Sequence, residues 1–398
     1  MINIDFLLAG CNTRCMHCCV AGGPGKQMDP EDALLCLEKL DAAAAFLPGQ
    51  VAITLDHEPM YHPAAARILR AAAAARHIRN YHHGMTTGIA LMNRKDRDDV
   101  LRASRECGYS RFGITVHGSA AHNDEIVRRQ GAYETTAAAA RYLKDSGMKL
   151  DVSLMVNRFF PGDAESITAL LEELQPDSVY CVIPVYVPLG SMDEYETCRA
   201  NLPEIEALED YLPRWKQDGE AFLRKARELT VSAAADRLKR GPGLRALFEA
   251  PQDELYLSLH PDCLLYVGNS GAETRCLGDL RALDPEKAAA EIRKLPGNRD
   301  YGAFYDPANL PDTFDLVQAL ECLPQDLVYG DFESALYRGL AELGTPTGMS
   351  AFRAKRDLYL RQKELLDTFL ENGAISRAQY DKSLGDLTVK MGMGPAGN

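Results

Sequence analysis

The chain lacks any apolar run approaching the roughly 18 residues that a membrane-spanning helix needs, and no basic-then-apolar leader precedes its first strand-like segment. A protein of membrane-spanning helices is thereby excluded, and a cytoplasmic location is expected. Basic residues are in deficit: 44 Lys and Arg stand against 57 Asp and Glu, a formal net charge of -13. Neutralising phosphates requires clustered Lys and Arg, so nucleic acid is not expected as a general partner. The 11 cysteines are odd in number and scattered after a first cluster, which argues against a disulfide framework and for reduced thiols. Low-complexity or disordered composition is absent too: 46% of the 398 residues are hydrophobic and 25% charged, enough for a large core and an appendage.

What stands out is Cys11-Asn12-Thr13-Arg14-Cys15-Met16-His17-Cys18-Cys19. Three cysteines at the spacing C-x3-C-x2-C follow Ile2 to Leu8, an apolar run that reads as a strand. Three thiolates in so short a loop converge on one soft metal centre at little closure cost. Zinc would want a fourth ligand, for which Cys19 and His17 are at hand, whereas an iron-sulfur cluster held by three cysteines leaves one iron open. No second C-x2-C knuckle follows at finger spacing, which weighs against zinc.

These residues resemble the signature of the radical S-adenosylmethionine (radical SAM) enzymes, C-x3-C-x-Φ-C with Φ usually aromatic and here His17. The resemblance implies a [4Fe-4S] cluster on Cys11, Cys15 and Cys18 whose open iron is chelated by S-adenosylmethionine (AdoMet), with Cys19 a bystander.

From residue 1 to about 190 strand and helix patterns alternate. Asp29 caps a helix with Pro30 at its first position, running to about Ala45. Strands are expected at Val51 to Leu55, Arg79 to Thr87, Arg111 to Val116, Leu150 to Val156 and Ser178 to Val187, with helices at 63–76, 94–107, 133–146 and 163–174 between them. Six βα units imply a parallel sheet with right-handed crossovers, whose chemistry gathers at the carboxyl ends of the strands. The expected fold is α/β, a partial (β/α)6 TIM-type barrel with a mixed C-terminal extension of a β-hairpin plus helices. The expected division is 1–190 for the barrel, 191–330 for the extension and 331–398 for a C-terminal helical hairpin.

The resemblance extends to other loops. Asp56-His57-Glu58-Pro59 matches the last two residues of the family's Gly-Gly-Glu-Pro segment, which implies that Glu58 accepts a hydrogen bond from the AdoMet amino group, with Pro59 beside it. Thr86-Thr87-Gly88 looks like the family's Thr-Asn-Gly. His117-Gly118, His122 to Arg128 and Gly131-Ala132-Tyr133 look like the fourth loop of the peptide-maturase branch, which implies Arg128 as a partner of the AdoMet carboxylate. Ser153 and Asn157 fall where the fifth strand meets the ribose. His57, His82, His83 and His117 crowd the expected mouth, where a neutral imidazole orients substrate or shuttles a proton, or is held by backbone and water. Cys181 in the sixth strand is the candidate hydrogen-atom donor if it faces the cavity; the remaining late cysteines read as small buried residues.

Beyond 190, Glu204 to Leu229 reads as one or two helices around Trp215, the single tryptophan. Leu255 to Leu259 and Leu264 to Gly268 are strands about a Pro261-Asp262 turn. With Arg275 to Leu280 they resemble the hairpin of maturases with SPASM or twitch extensions. Cys263 stands where that hairpin turns on glycine and Val267 where a cysteine is expected, so no auxiliary cluster is implied. Ala351 to Glu371 and a helix capped by Ser376 form an αα-hairpin; its basic face, including Arg353 and Arg356, is either solvated or docks a partner.

The resemblance thus implies reduction by flavodoxin or ferredoxin, cleavage of AdoMet, and hydrogen abstraction from a substrate. The substrate is expected to be a ribosomally made peptide, with a small metabolite as the alternative; from another class, a non-catalytic metal-binding or electron-transfer protein remains. Because the first strand opens at residue 2, any leader-binding domain is expected on a partner protein.

Overall fold

The structure, a computed structural model, describes residues 1–398 except 21, 56–57, 81–82, 242–243, 249–251, 299–303, 306–308 and 392–398. His57, His82 and the final Gly-Pro-Ala-Gly-Asn therefore lie outside the described residues, as do the side chains of His83 and Arg353.

Strands β1 (Ile2–Phe6), β2 (Val51–Leu55) and β3 (Ile78–Asn80) run parallel, as do β4 (His83–Met85), β5 (Arg111–Val116), β6 (Lys149–Met155) and β7 (Ser178–Val182). The third expected strand is represented by Ile78–Asn80 beside β2 and by His83–Met85 beside β5. The sixth is shorter than expected, because Pro184 has no N–H to give a ladder and the chain leaves the sheet before it. Helices Pro30–Ala44, Ala65–Ala74, Arg97–Glu106, Ala132–Asp145 and Phe160–Leu174 make the crossovers. The first begins where expected: the Asp29 carboxylate accepts from the Glu31 and Asp32 N–H groups, with proline at the first position.

Strand β8 (Leu255–Leu259) lies parallel to β1 on the side opposite β2, and β9 (Leu264–Val267) and β10 (Arg275–Asp279) follow antiparallel. The expected hairpin thus continues the sheet that carries the cysteine loop. Its turn residue Cys263 has φ 66°, the left-handed conformation that glycine takes without strain, and it is wholly buried.

One core packs β1–β3 and β8–β9 against the first three crossover helices; a second packs β5–β7 against Phe160–Leu174 and Trp215. The Trp215 indole N–H donates to the Thr168 hydroxyl at 2.9 Å, which satisfies the one polar atom of the largest buried side chain. Helices Gly348–Glu371 and Arg377–Met391 pair and cover the β9–β10 face through Tyr359 and Leu387. Ser376 and Gln379 cap the second of them reciprocally. Among the described residues no helix is long and apolar enough to cross a membrane.

Candidate active site

The chain leaves β1 into a loop that closes on itself. Gly10 at φ 73° lies so near Gly23 that a Cβ would stand 2.5 Å from the Gly23 carbonyl oxygen, and the Cys11 N–H donates to that same oxygen at 3.0 Å. The three expected thiols are held by short contacts. Thr13 Oγ1 sits 3.1 Å from Cys11 Sγ and 3.5 Å from Cys15 Sγ, and the Gly22 N–H donates to Cys18 Sγ at 3.0 Å. The Met16 N–H to Ile126 carbonyl bond, 2.9 Å, fixes the middle of the loop to the helix Ala120–Val127.

Burial governs the charge of these sulfurs. It pushes the Cys11 thiol up to about 12, with the Glu58 carboxylate adding to the rise, and the Cys15 thiol to about 11; Cys18 is raised by burial as well. Thiols in such surroundings keep their protons near neutral pH unless a cation replaces them. Metal binding supplies that cation and expels the protons.

All three thiols line a cavity of about 430 Å³ whose opposite wall is the carboxyl ends of β4–β7: Met85 and Thr86, Thr115 and His117, Met155, Val182. Among the described residues, no three His, Cys, Asp or Glu side chains converge as a single ion requires. Two observations bear on whether a cluster and AdoMet fit here. Gly22 keeps the space between two of the cysteines clear: a Cβ there would lie 3.0 Å from Cys18 Sγ and 3.6 Å from Cys11 Cβ. On the other side, His17 Nδ1 and His117 Nδ1 are buried and, among the described residues, have no hydrogen-bond partner, so each is open to a polar group held in the cavity. The donor set and the cradle fit both groups.

Glu58 is fully buried behind this wall. Its carboxylate accepts from the Thr86 hydroxyl at 2.8 Å, the Thr87 N–H at 2.6 Å and the Thr87 hydroxyl at 2.8 Å. Pro59 opens a single 3-10 turn, Pro59–Tyr61, and is buried. The pair Thr86-Thr87 is thus a cradle for Glu58, and Thr86 also borders the cavity.

His117 and His17 meet ring to ring, centroids 4.3 Å apart. Burial holds His17 down at about 4 and His117 well below the usual imidazole range, so both are neutral near pH 7. Asn157 does not face the cavity; its amide donates to the His117 carbonyl at 2.8 Å and the Met155 carbonyl at 3.0 Å, and Asn123 Oδ1 accepts the His117 N–H. These two amides fix the backbone that presents His117. Ser153 is half-buried on β6, two residues before Met155 and on the same face. Arg128, at φ 57°, ends the helix Ala120–Val127, and its guanidinium is paired with Glu194. Cys181 packs with the second core, its thiol pushed up to about 12 by burial, while its neighbour Val182 lines the cavity. Thr13, Gly22 and Thr87 carry more of the local geometry than the sequence reading gave them. Their signal was faint, because a hydroxyl beside a cysteine and a glycine in a glycine-rich loop are both common.

A second, larger cavity of about 1010 Å³ lies between the cysteine loop, the hairpin and the helix Gly348–Glu371, and shares Val20 and Gly22 with the first. Five acidic and four basic residues line it. Arg356 turns into this groove, within 3.9 Å of the buried Glu273, which His260 holds at 2.7 Å, so Arg356 does not stand on an open basic face.

Compared with known proteins, the chain is similar in structure to anSMEcpe solved with bound AdoMet and the Cp18Cys peptide, at 11% identity over 73% of this chain and 80% of that one, TM-score 0.43. It is likewise similar to Streptococcus suis SuiB bound to S-adenosylmethionine (12% identity, 66% and 59% covered, TM-score 0.41). Coproporphyrinogen III oxidase (HemN) of Escherichia coli, a radical SAM enzyme, follows at 15% identity, 68% and 67% covered, TM-score 0.38. No curated protein matches by sequence. Residues 7–171, from the end of β1 through most of the fifth crossover helix, match the sequence pattern of the Radical SAM superfamily, and that part of the chain is a radical SAM region.

Proposed function

We propose that the chain is a peptide-modifying radical SAM enzyme that draws its electron from flavodoxin or ferredoxin. The match of residues 7–171 to the superfamily implies radical SAM chemistry, a [4Fe-4S] cluster and AdoMet, and the need for a reductant and a substrate. When bound, the cluster and AdoMet supply a 5'-deoxyadenosyl radical that abstracts hydrogen from the substrate. Cys11, Cys15 and Cys18 hold the cluster, and the loop closed at Gly10 and Gly23 fixes their directions. Glu58, oriented by Thr86 and Thr87, takes the AdoMet amino group. The apolar side chains on β4, β6 and β7 exclude water from the reacting atoms.

The single observation that carries this reading is the convergence of the three thiols on one cavity beside a fully buried, threonine-held glutamate. Three things support a peptide as substrate: the resemblance of the His117 to Tyr133 loop and of the β8–β9 hairpin to the maturase branch, and the groove of about 1010 Å³ adjoining the reaction cavity, which has room for chain flanking a reacting residue. Residues 1–190 form the catalytic unit in this reading, with 191–330 as extension and 331–398 as a helical hairpin. The test is anaerobic reconstitution of the whole chain. About four irons per chain and release of 5'-deoxyadenosine on reduction are expected; tight zinc binding without AdoMet cleavage would refute the reading.

A further inference from the structure

Arg199 is a charged side chain that reaches neither water nor the reaction cavity: it follows the turn Glu196–Cys198 and its side chain is wholly buried. A guanidinium taken out of water is tolerated only where its charge and its N–H groups are met. Here Nε donates to the Glu196 carboxylate at 2.7 Å, Nη1 to the Pro184 carbonyl at 2.7 Å and the Val328 carbonyl at 3.3 Å, and Nη2 to the Val185 carbonyl at 3.2 Å. Its Cζ lies over the Tyr329 ring, 4.1 Å from the centre, and over the Tyr195 ring at 5.6 Å.

Residues 183–185 follow the end of β7 at Val182 and line the reaction cavity, so one of its walls is chain that has just left the sheet. Two groups take up the carbonyls of that wall. Arg199 holds those of Pro184 and Val185, and the Gly330 N–H donates to the Pro184 carbonyl at 3.0 Å. Gly330 presses on the same segment: a methyl there would overlap the Ile183 carbonyl oxygen and stand 3.0 Å from the Val185 nitrogen and Cγ1. Residues 328–330 are themselves anchored, as the Val328 N–H donates to the Ala200 carbonyl and the Tyr329 hydroxyl to Glu196 at 2.7 Å. On the other side Tyr195, beneath the guanidinium, meets the His17 ring of the cysteine loop, centroids 6.1 Å apart. We propose that Arg199 is a positioning residue, whose planar fork ties the wall at 183–185 to the extension at 328–330 and, through Tyr195, to the cysteine loop, and so sets the space between that wall and the thiols. Arg199 touches no reacting atom. The proposal rests on the reading that AdoMet binds in this cavity, where a ligand held at the cysteines meets this wall.

Three variants of the whole chain test this. Arg199→Lys keeps the buried charge beside Glu196 but gives up the fork that reaches three carbonyls at once. Gly330→Ala disturbs the same wall from its other side and leaves Arg199 intact. Trp215→Phe, which loses the bond to Thr168 in the second core, is the control for a stability loss elsewhere. Hydrogen–deuterium exchange is measured on the cluster-free chain and AdoMet affinity on the reconstituted chain by equilibrium dialysis, with iron content and circular dichroism checked for each variant. In Arg199→Lys and Gly330→Ala the amides of residues 183–187 should exchange about tenfold faster, and the AdoMet dissociation constant should rise about fivefold at unchanged iron content. Trp215→Phe should lower the unfolding midpoint and change neither. Wild-type exchange or wild-type AdoMet affinity in a folded Arg199→Lys variant, or the same two changes in Trp215→Phe, would overturn the proposal. Should Arg199→Lys fail to fold, Gly330→Ala decides by the same two readouts. Failure of the reconstituted wild-type chain to bind AdoMet would refute the proposed function, and the exchange rates of the cluster-free chain would then decide the role of Arg199 by themselves.

Discussion

Replacing Glu58 by glutamine tests the part of the site that the fold has most completely enclosed. The carboxylate is fully buried, and one of its oxygens takes both the Thr87 N–H at 2.6 Å and the Thr87 hydroxyl at 2.8 Å. The other takes the Thr86 hydroxyl at 2.8 Å; that hydroxyl also lies 3.0 Å from the first oxygen and accepts the Gly88 N–H at 2.9 Å. A glutamine can place its carbonyl oxygen toward Thr87 and turn the Thr86 hydroxyl's hydrogen to that same oxygen, but each of these donors then meets a neutral acceptor in place of a charged one. A hydrogen bond to a charged group contributes about 1.5–3 kcal/mol, more than one to a neutral group. Glu58→Gln should therefore lower the unfolding free energy of the cluster-free chain by about 2 kcal/mol, the loss over these contacts together. Denaturant unfolding followed by circular dichroism reads this directly. In the loaded protein the same change removes the negative charge offered to the AdoMet amino group, so the dissociation constant should rise at least tenfold, or about 1.4 kcal/mol. Iron content should stay constant, because Glu58 ligates nothing. An unfolding midpoint and an AdoMet affinity both equal to wild type would refute the reasoning.

Cys15→Ala should abolish the iron-thiolate absorbance and 5'-deoxyadenosine formation together, while Cys19→Ala should leave iron content unchanged; ultraviolet-visible spectra after reconstitution decide. Gly22→Ala places a methyl 3.0 Å from Cys18 Sγ at a position without a left-handed backbone, so iron retention should drop several-fold while the fold persists. Glu273 responds to acid. Burial pushes its carboxyl up, but His260 at 2.7 Å and the Gly271 N–H more than offset this and bring it to about 2, from an ordinary 4.5. The folded value is the lower one, so the stabilisation is complete above about 4.5 and disappears as pH falls toward 2, an effect of about 3 kcal/mol at about 1.4 kcal/mol per pH unit. Glu273→Gln should flatten the acid limb of a stability-against-pH curve over that window, and an unaltered limb would contradict the assignment. Truncating Leu387 to alanine removes part of the contact between the C-terminal helices and the β9–β10 face, so limited proteolysis should release that hairpin sooner.

The parallel sheet was legible because β1, β2, β5, β6 and β7 are short apolar, β-branched runs separated by helices with ordinary start and stop signals. Asp29-Pro30 shows this at its plainest: the cap and the fixed φ are local, so local sequence suffices. The cysteine loop was legible for the same reason, its three sulfurs lying within eight residues. What escaped was set by contacts distant in sequence. Asn157, forty residues from His117, supports that residue's backbone instead of facing the cavity, and nothing near either residue announces it. Arg128 looks free in a linear reading, but its partner Glu194 is 66 residues on. Cys181 and Val182 occupy alternate faces of one strand, and which face is inward depends on register with β6, which pairs Leu154 with Cys181.

The pairing of β8 with β1 changes what the C-terminal half is for. A partial barrel that began at β1 would leave that strand at an edge, with one row of backbone groups unpaired and the loop that follows it supported on one side only. Here Ile2 to Phe6 are matched to Leu255 to Leu259 residue for residue, and the ladder runs on past the strand as the Leu7 N–H donates to the Leu259 carbonyl at 2.8 Å. The last residues before the cysteine loop are therefore held by β2 on one side and by β8 on the other. The turn after β8, His260 to Leu264, then borders the groove beside that loop, and Glu273 beyond it carries the pair that holds Arg356 of the C-terminal helix. A cluster site needs its ligands held close to one geometry by rigid neighbours. In this chain one of those neighbours comes from about 250 residues downstream of the cysteines. Loss of the hairpin would expose the base of the cluster loop as well as the groove wall, so the extension belongs to the construction of the active site as much as to the recognition of substrate.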